Sequence, residues 1–152
     1  MALTKEYQLI NEQLKYLIED VTYEITNYAN ASALLFQSLK NINWAGFYLM
    51  QNGMLVLGPF QGKTACTKIA VGKGVCGTAV ATDKVQRVFD VHEFPGHIAC
   101  DSASCSEIVL PIHSYGKIIA VLDIDSPVLG RFSAEDEEGL SEFVQILEEK
   151  ME

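Results

Sequence analysis

The sequence predicts an α+β fold, a mainly antiparallel central sheet flanked by N-terminal and C-terminal helices. Three observations predict it. Apolar residues recur at helical spacing near both ends of the chain, the middle is a series of short apolar runs, and Gly-containing turns separate several of those runs. Strands joined by tight turns pair antiparallel, and helices segregated to the ends of the chain pack on the sheet they leave uncovered. The 152 residues suit one domain, 1–152, long enough to bury roughly two thirds of its unfolded surface.

The elements follow in order. Tyr7, Ile10, Leu14, Leu17 and Ile18 recur between Lys, Glu and Gln, which predicts an amphipathic helix over residues 4–19. Asp20 and Thr22 can cap a second helix, with an apolar face of Ile25, Tyr28, Ala29, Ser32, Leu35, Phe36 and Leu39. From Trp44 the period changes. Residues 44–50 (WAGFYLM) and 54–60 (MLVLGPF) flank an Asn-Gly turn, a strong hairpin signal. Trp44, Gly46 and Tyr48 share one face of the first strand and Ala45, Phe47 and Leu49 the other, and Gly46 between two aromatics predicts a hollow. Residues 69–71 make a short strand, Gly72-Lys73-Gly74 a turn, 75–84 a short helix and 85–90 a further strand. Pro95-Gly96 interrupts regular structure, which predicts a loop over 97–106. Residues 108–112 (IVLPI) are a buried strand, 113–116 a turn and 117–125 another strand. Ser133 caps a last helix with Glu135 and Asp136 in its first turn and Leu140, Phe143, Val144 and Leu147 on its buried face.

Composition narrows the function. The formal net charge is −9 and no Lys/Arg cluster interrupts it, which argues against nucleic acid and anionic membrane as partners. No apolar run approaches the ~20 residues of a membrane span, and the N-terminus lacks the apolar core of a signal peptide, so a cytoplasmic protein is expected. Four cysteines in such a chain are buried, metal-bound or redox-active rather than a disulfide framework. They form no CxxC pair, and with His92, His97 and His113 their spacing is unlike a closed structural zinc site, so no metal is expected. The Gly72-Lys73-Gly74 turn is not a phosphate loop, because no GxxxxGK[ST] is present.

Residues 90–111 (DVHEFPGHIACDSASCSEIVLP) concentrate the reactive side chains, a loop with thiols, acids and free backbone amides that leads into a buried strand. Asp123 and Asp125 stand two apart at the end of an apolar strand, so both face the same way. Like charges that close raise each other's pKa unless a cation lies between them, which leaves a solvated strand end, a metal or a ligand's ammonium group.

WAGFYL (44–49), GKGVCGTA (72–79), the 90–111 segment and GKIIAVLDIDSP (116–127), in this order, resemble the GAF-domain enzymes that reduce free methionine-R-sulfoxide. The resemblance spans about residues 42–145 and implies a single GAF-like catalytic domain. It implies that Cys100 attacks the sulfoxide sulfur, releasing L-methionine and leaving a sulfenic acid. Cys66 would condense with that group to an intramolecular disulfide, and Cys76 would be an alternative resolving partner or a thiol relay. Cys105 stands outside the pattern. Trp44 and Tyr48 would form the apolar wall for the S-methyl end, while Glu107, Asp123 and Asp125 would hold the substrate ammonium and polarise or protonate the sulfoxide oxygen. The substrate carboxylate would find donors in the amides of residues 96–100. The resemblance further implies thioredoxin as reductant, supplied by NADPH, no bound cofactor, and a homodimer.

The chemistry is coherent with that reading. A sulfoxide is reduced by a sulfur nucleophile together with a proton for the departing oxygen, and a carboxyl kept neutral by neighbouring carboxylates can supply the proton. Asp101 and Glu107 near Cys100 would raise its thiol pKa rather than lower it, so a proton is expected to pass from thiol to sulfoxide during attack. The alternatives are a non-catalytic GAF module that binds a small molecule, or a cysteine redox sensor. The first would not need three cysteines at these positions, and the second would release no methionine.

Overall fold

Each expected helix forms where a neighbouring element covers its apolar stripe. A computed structural model describes residues 3–96 and 103–151. The order is α1 (Lys5–Ile18), α2 (Glu24–Ser38), β1 (Trp44–Gln51), β2 (Met54–Gly62), β3 (Lys68–Ala70), α3 (Gly74–Thr82), β4 (Gln86–Val88), β5 (Ser106–Ser114), β6 (Lys117–Ser126) and α4 (Ala134–Met151). The strands pair antiparallel in one six-stranded sheet, ordered β3-β2-β1-β6-β5-β4, as the α+β expectation required.

The sheet separates two cores. On one face Ala45, Phe47, Ile108, Leu110, Ile112, Ala120, Leu122 and Ile124 pack against Leu14, Leu35, Leu140 and Phe143 from the three long helices. A large side chain fully buried there, such as Phe47, contributes about 1.5–3 kcal/mol relative to exposure. The other face carries Trp44, Tyr48, Val109 and Val121, covered by Val75, Cys76 and Ala79 of α3 and by Leu55 and Ile69. Strand alternation therefore divides the molecule into a scaffold side and a smaller side where the acids and thiols gather.

Two hairpins close on left-handed pairs, Asn52-Gly53 (φ 51° and 79°) and Tyr115-Gly116 (φ 50° and 79°). In the second, β5 continues to Ser114, so His113 lies on the strand and the turn is shorter than the four residues expected. β5 also begins at Ser106, two residues earlier than the apolar run suggests, because it pairs along its whole length with β6. This places Glu107 on a strand rather than at a loop end. The strand expected over 85–90 contracts to Gln86–Val88, and that over 69–71 moves to Lys68–Ala70, since only those residues meet a partner strand.

Helix details correct several expectations. Leu17 is 37% exposed on α1, beside a stripe of Tyr7, Ile10, Leu14 and Ile18 that is buried. On α2, Ile25 and Phe36 are exposed, as is Ala29, while Asn27, Ala31 and Leu34 are buried. Polar residues take core positions here because backbone satisfies them: Asn27 Nδ2 donates to the Val21 carbonyl, and Ser32 Oγ to those of Tyr28 and Pro59. Neither Asp20 nor Thr22 caps α2, whose N-cap Tyr23 makes no side-chain cap bond. At α4 the expected cap forms as a reciprocal pair, the Asp136 amide donating to Ser133 Oγ and the Ser133 amide to Asp136 Oδ2. Among the described residues no helix is long and apolar enough to cross a membrane.

Candidate active site

β1, β5 and β6 bring the site residues together on the smaller face. Pairing sets Glu107 opposite Asp125, Val109 opposite Asp123, Gly46 opposite Asp123 and Trp44 opposite Asp125. Because side chains alternate, Trp44, Glu107, Asp123 and Asp125 all project to the same side, towards the first turn of α3. They line a cavity of about 50 Å³ with Tyr48, Cys76, Lys73, Thr64, Ala65 and Ser104. A cavity that size can hold several waters, for which roughly 10–15 Å³ each suffices.

Gly77 seats α3. A Cβ there would lie 2.4 Å from the Ala70 carbonyl oxygen, so only glycine lets the helix meet β3 closely enough to lower Cys76 onto the acids. Cys76 is a free, buried thiol with its Sγ 4.0 Å from Glu107 Oε2. One donor atom each of Cys76, Glu107 and Asp123 lie within 4.8 Å of one another, close enough to surround a small cation, and no histidine belongs to the group. Asp123 Oδ1 is buried with no hydrogen-bond partner, an unsatisfied acceptor on a residue that lines the cavity.

The acids do not ionise alike. Burial, then the nearby charges of Asp123 and Asp125, hold Glu107 well above the usual carboxylate range. Burial also raises Asp123, but hydrogen bonds from Glu107, Cys76 and Asp125 work against that rise. Both carboxyls are thus held above their usual range, Glu107 the more strongly, and the pair favours keeping a proton. Burial pushes the Cys76 thiol up, followed by the fields of Asp123, Glu107 and Asp125, so it stays protonated at neutral pH.

The apolar wall is a stack of three rings. Trp44 lies between Tyr48, with centroids 5.9 Å apart, and Phe60, 5.2 Å away and 15° from parallel. The hollow expected at Gly46 is occupied from the neighbouring strand, since a Cβ at Gly46 would fall 2.3 Å from Phe60 Cβ. Trp44 Nε1 donates to the Lys63 carbonyl and Tyr48 Oη to the Cys66 carbonyl, both at 3.0 Å. Cys66 packs against this cluster and is disulfide-bonded, while Cys105 is a partly exposed free thiol.

Of the eight site residues expected from sequence, Trp44, Tyr48, Cys66, Cys76, Glu107, Asp123 and Asp125 thus converge on one place. Cys100, with His97 and the rest of the expected carboxylate loop beyond Gly96, lies outside the described residues. Lys73 and Phe60 were missed. Lys73, directly before GVCG, was legible in the Gly72-Lys73-Gly74 turn, but as the N-cap of a cavity-lining helix rather than as part of a phosphate loop. Phe60 carries no local signal, because its role arises from β1–β2 register. His92 bonds Asp90 and His113 bonds Asp83 and Glu148, so neither contributes to the cavity.

The GAF domain family model matches residues 13–149. The free methionine-R-sulfoxide reductase of Escherichia coli (strain K12) is 57% identical over 148 residues, 97% of this chain and 90% of that protein. That of Saccharomyces cerevisiae is 47% identical over 131 residues, 81% of this chain and 73% of that protein. Among solved structures, fRMsr of Staphylococcus aureus in complex with substrate superposes with a TM-score of 0.94 at 49% identity, covering all of both chains.

Proposed function

The chain belongs to the GAF-domain family of free methionine-R-sulfoxide reductases, and from that premise we propose that it reduces free L-methionine-(R)-S-oxide to L-methionine. One observation carries the reading: the cavity sets an aromatic wall against a proton-holding glutamate and an aspartate with an unsatisfied oxygen. An S-methyl group suits the first, a sulfoxide oxygen the second and an ammonium group the third. A peptide-bound residue has no ammonium, so the acids select the free amino acid.

The steps balance. The Cys100 thiol attacks the sulfoxide sulfur and the oxygen passes to the cysteine as sulfenic acid, so the sulfoxide is reduced to thioether while the thiol is oxidised. Glu107 protonates the sulfoxide oxygen as the S–O bond weakens and recovers the thiol's proton. Asp123 and Asp125 hold the ammonium. Cys66 then attacks the sulfenic sulfur, forming an S–S bond and releasing water. Cys66 is disulfide-bonded while Cys76 and Cys105 are free thiols, which supports Cys66 as the thiol that resolves. A thioredoxin dithiol, recharged from NADPH, would reduce the disulfide. Cys76, held protonated, is a poor nucleophile here and serves as a reserve thiol. A homodimer remains part of the proposal.

The test is a coupled assay with thioredoxin, thioredoxin reductase and NADPH. The free R-sulfoxide should consume NADPH, and the S epimer and a peptide-bound R-sulfoxide should not. If none of the three does, the chain is a binding or redox-sensing module and the reading fails.

A further inference from the structure

The segment that carries Cys66 is irregular. Residues 63–67 link β2 to β3 without helix or strand, and Lys63 and Thr64 at its start are exposed. Two side-chain bonds hold its carbonyls, Trp44 Nε1 to Lys63 O and Tyr48 Oη to Cys66 O. At its far end the Leu57 amide donates to the Thr67 carbonyl. The two ring donors come from rigid positions. Trp44 and Tyr48 are each 2% exposed and share one face of β1, a strand paired on both sides.

We propose that the Tyr48 hydroxyl is a positioning residue for the resolving step: its bond to the Cys66 carbonyl, seen here with Cys66 already in a disulfide, fixes the backbone from which the Cys66 thiol would reach the oxidised nucleophile. The inference rests on the assignment of Cys66 as resolving thiol. The same ring that receives the substrate's apolar end thereby aims the second cysteine, and Trp44 fixes the other end of that segment. Disulfide formation is a displacement at sulfur and demands alignment of attacking thiolate, central sulfur and leaving oxygen. A misplacement of about 1 Å in such a step costs up to roughly a hundredfold in rate. The substrate sulfoxide supplies the oxidising equivalent, and the only product besides the disulfide is water. Tyr48 stays a donor throughout, because burial and the facing charge of Asp123 keep its hydroxyl protonated far above neutral pH.

Tyr48→Phe removes the hydroxyl and keeps the ring. Mixed once with a saturating excess of free methionine-R-sulfoxide and no reductant, the variant should slow disulfide formation far more than it slows methionine release. It should then form the disulfide about tenfold to a hundredfold more slowly, with a sulfenic acid that dimedone captures in the interval. Trp44→Phe, which keeps an aromatic ring but loses the Lys63 bond and part of the stack with Tyr48 and Phe60, should show the same delay in weaker form. Circular dichroism of both variants establishes that they fold. Disulfide formation at the parent rate in folded Tyr48→Phe overturns the tether, as does an equal slowing of both half-reactions, which would mark a wall residue only. Failure of the parent chain itself to release methionine would instead overturn the proposed reaction, so the two failures are distinct.

Discussion

Cys76 Sγ lies 4.0 Å from the Glu107 carboxylate, and neither side chain reaches water freely. Each therefore favours its neutral form, and the contact stores a proton beside the substrate cavity rather than a thiolate. In the proposed reaction, the acid for the sulfoxide oxygen and a buried thiol kept out of the attack would be two results of one desolvated cluster.

Glu107→Gln tests the stored proton through stability as well as rate. A carboxyl whose folded pKa is raised is harmless while protonated and costs stability as pH rises from the ordinary range, about 4.3, through the raised value. Glutamine never ionises. The variant's melting temperature should match the parent's near about pH 5 and exceed it progressively towards about pH 8, while turnover falls by roughly 10²–10⁴. A melting-temperature difference that stays flat with pH would show that Glu107 is not the group holding the proton.

Gly46→Ala tests the aromatic wall. The added Cβ would sit 2.3 Å from Phe60 Cβ and 2.8 Å from Phe60 Cα, and backbone on a paired strand cannot retreat cheaply. Overpacking of this kind costs about 1–3 kcal/mol, so the urea midpoint should drop. The displaced Phe60 should also disturb its stack with Trp44 and raise KM more than it lowers kcat. An unchanged midpoint would mean the two strands separate without penalty.

Much of this was legible in the sequence, for identifiable reasons. Alternation along residues 44–50 assigned Trp44 and Tyr48 to one face and Phe47 to the other, because strand geometry depends only on residue parity. The two-residue spacing of Asp123 and Asp125 likewise survives folding unchanged. What failed depended on partners distant in sequence. Ile25 and Phe36 look as apolar as Tyr28 and Leu35, and only the docking of α2 on β1 and β2 decides which stripe is covered. The β5 start at Ser106, with Glu107 on it, follows from pairing with Ser126 and Asp125 rather than from local hydrophobicity. Phe60 entered the site through register alone.

His113 should act as a pH-dependent clamp away from the cavity. Its Nε2 is 2.6 Å from Asp83 Oδ1 at the end of α3, and its Nδ1 is 3.2 Å from Glu148 Oε2 on α4. Burial lowers its pKa, but the bonds to Asp83 and Glu148 outweigh that and the net shift is upward. A raised histidine contributes stability fully below its ordinary value, near 6.5, and loses it as pH rises through the raised value. NMR titration of His113 should place its midpoint above 6.5. His113→Gln should flatten the parent's stability loss over that interval, and a midpoint below the ordinary value would refute the clamp.

The cysteines divide by what each variant leaves behind. Cys100→Ser should release no methionine even in a single turnover, and Cys76 should not replace it, because burial and the acids around it hold that thiol protonated. Cys66→Ser should release a single equivalent at the normal rate and stall as the sulfenic acid, which thioredoxin reduces poorly without a disulfide to exchange. Cys76→Ser should retain most of the turnover, since its hydroxyl fills nearly the same space beside Glu107. Mass spectrometry of the dimedone adduct with parallel measurement of free methionine separates these three outcomes. A Cys100→Ser chain that turns over near the parent rate would transfer the nucleophile to Cys76, and the acid cluster would then have to deprotonate the thiol it is here found to protect.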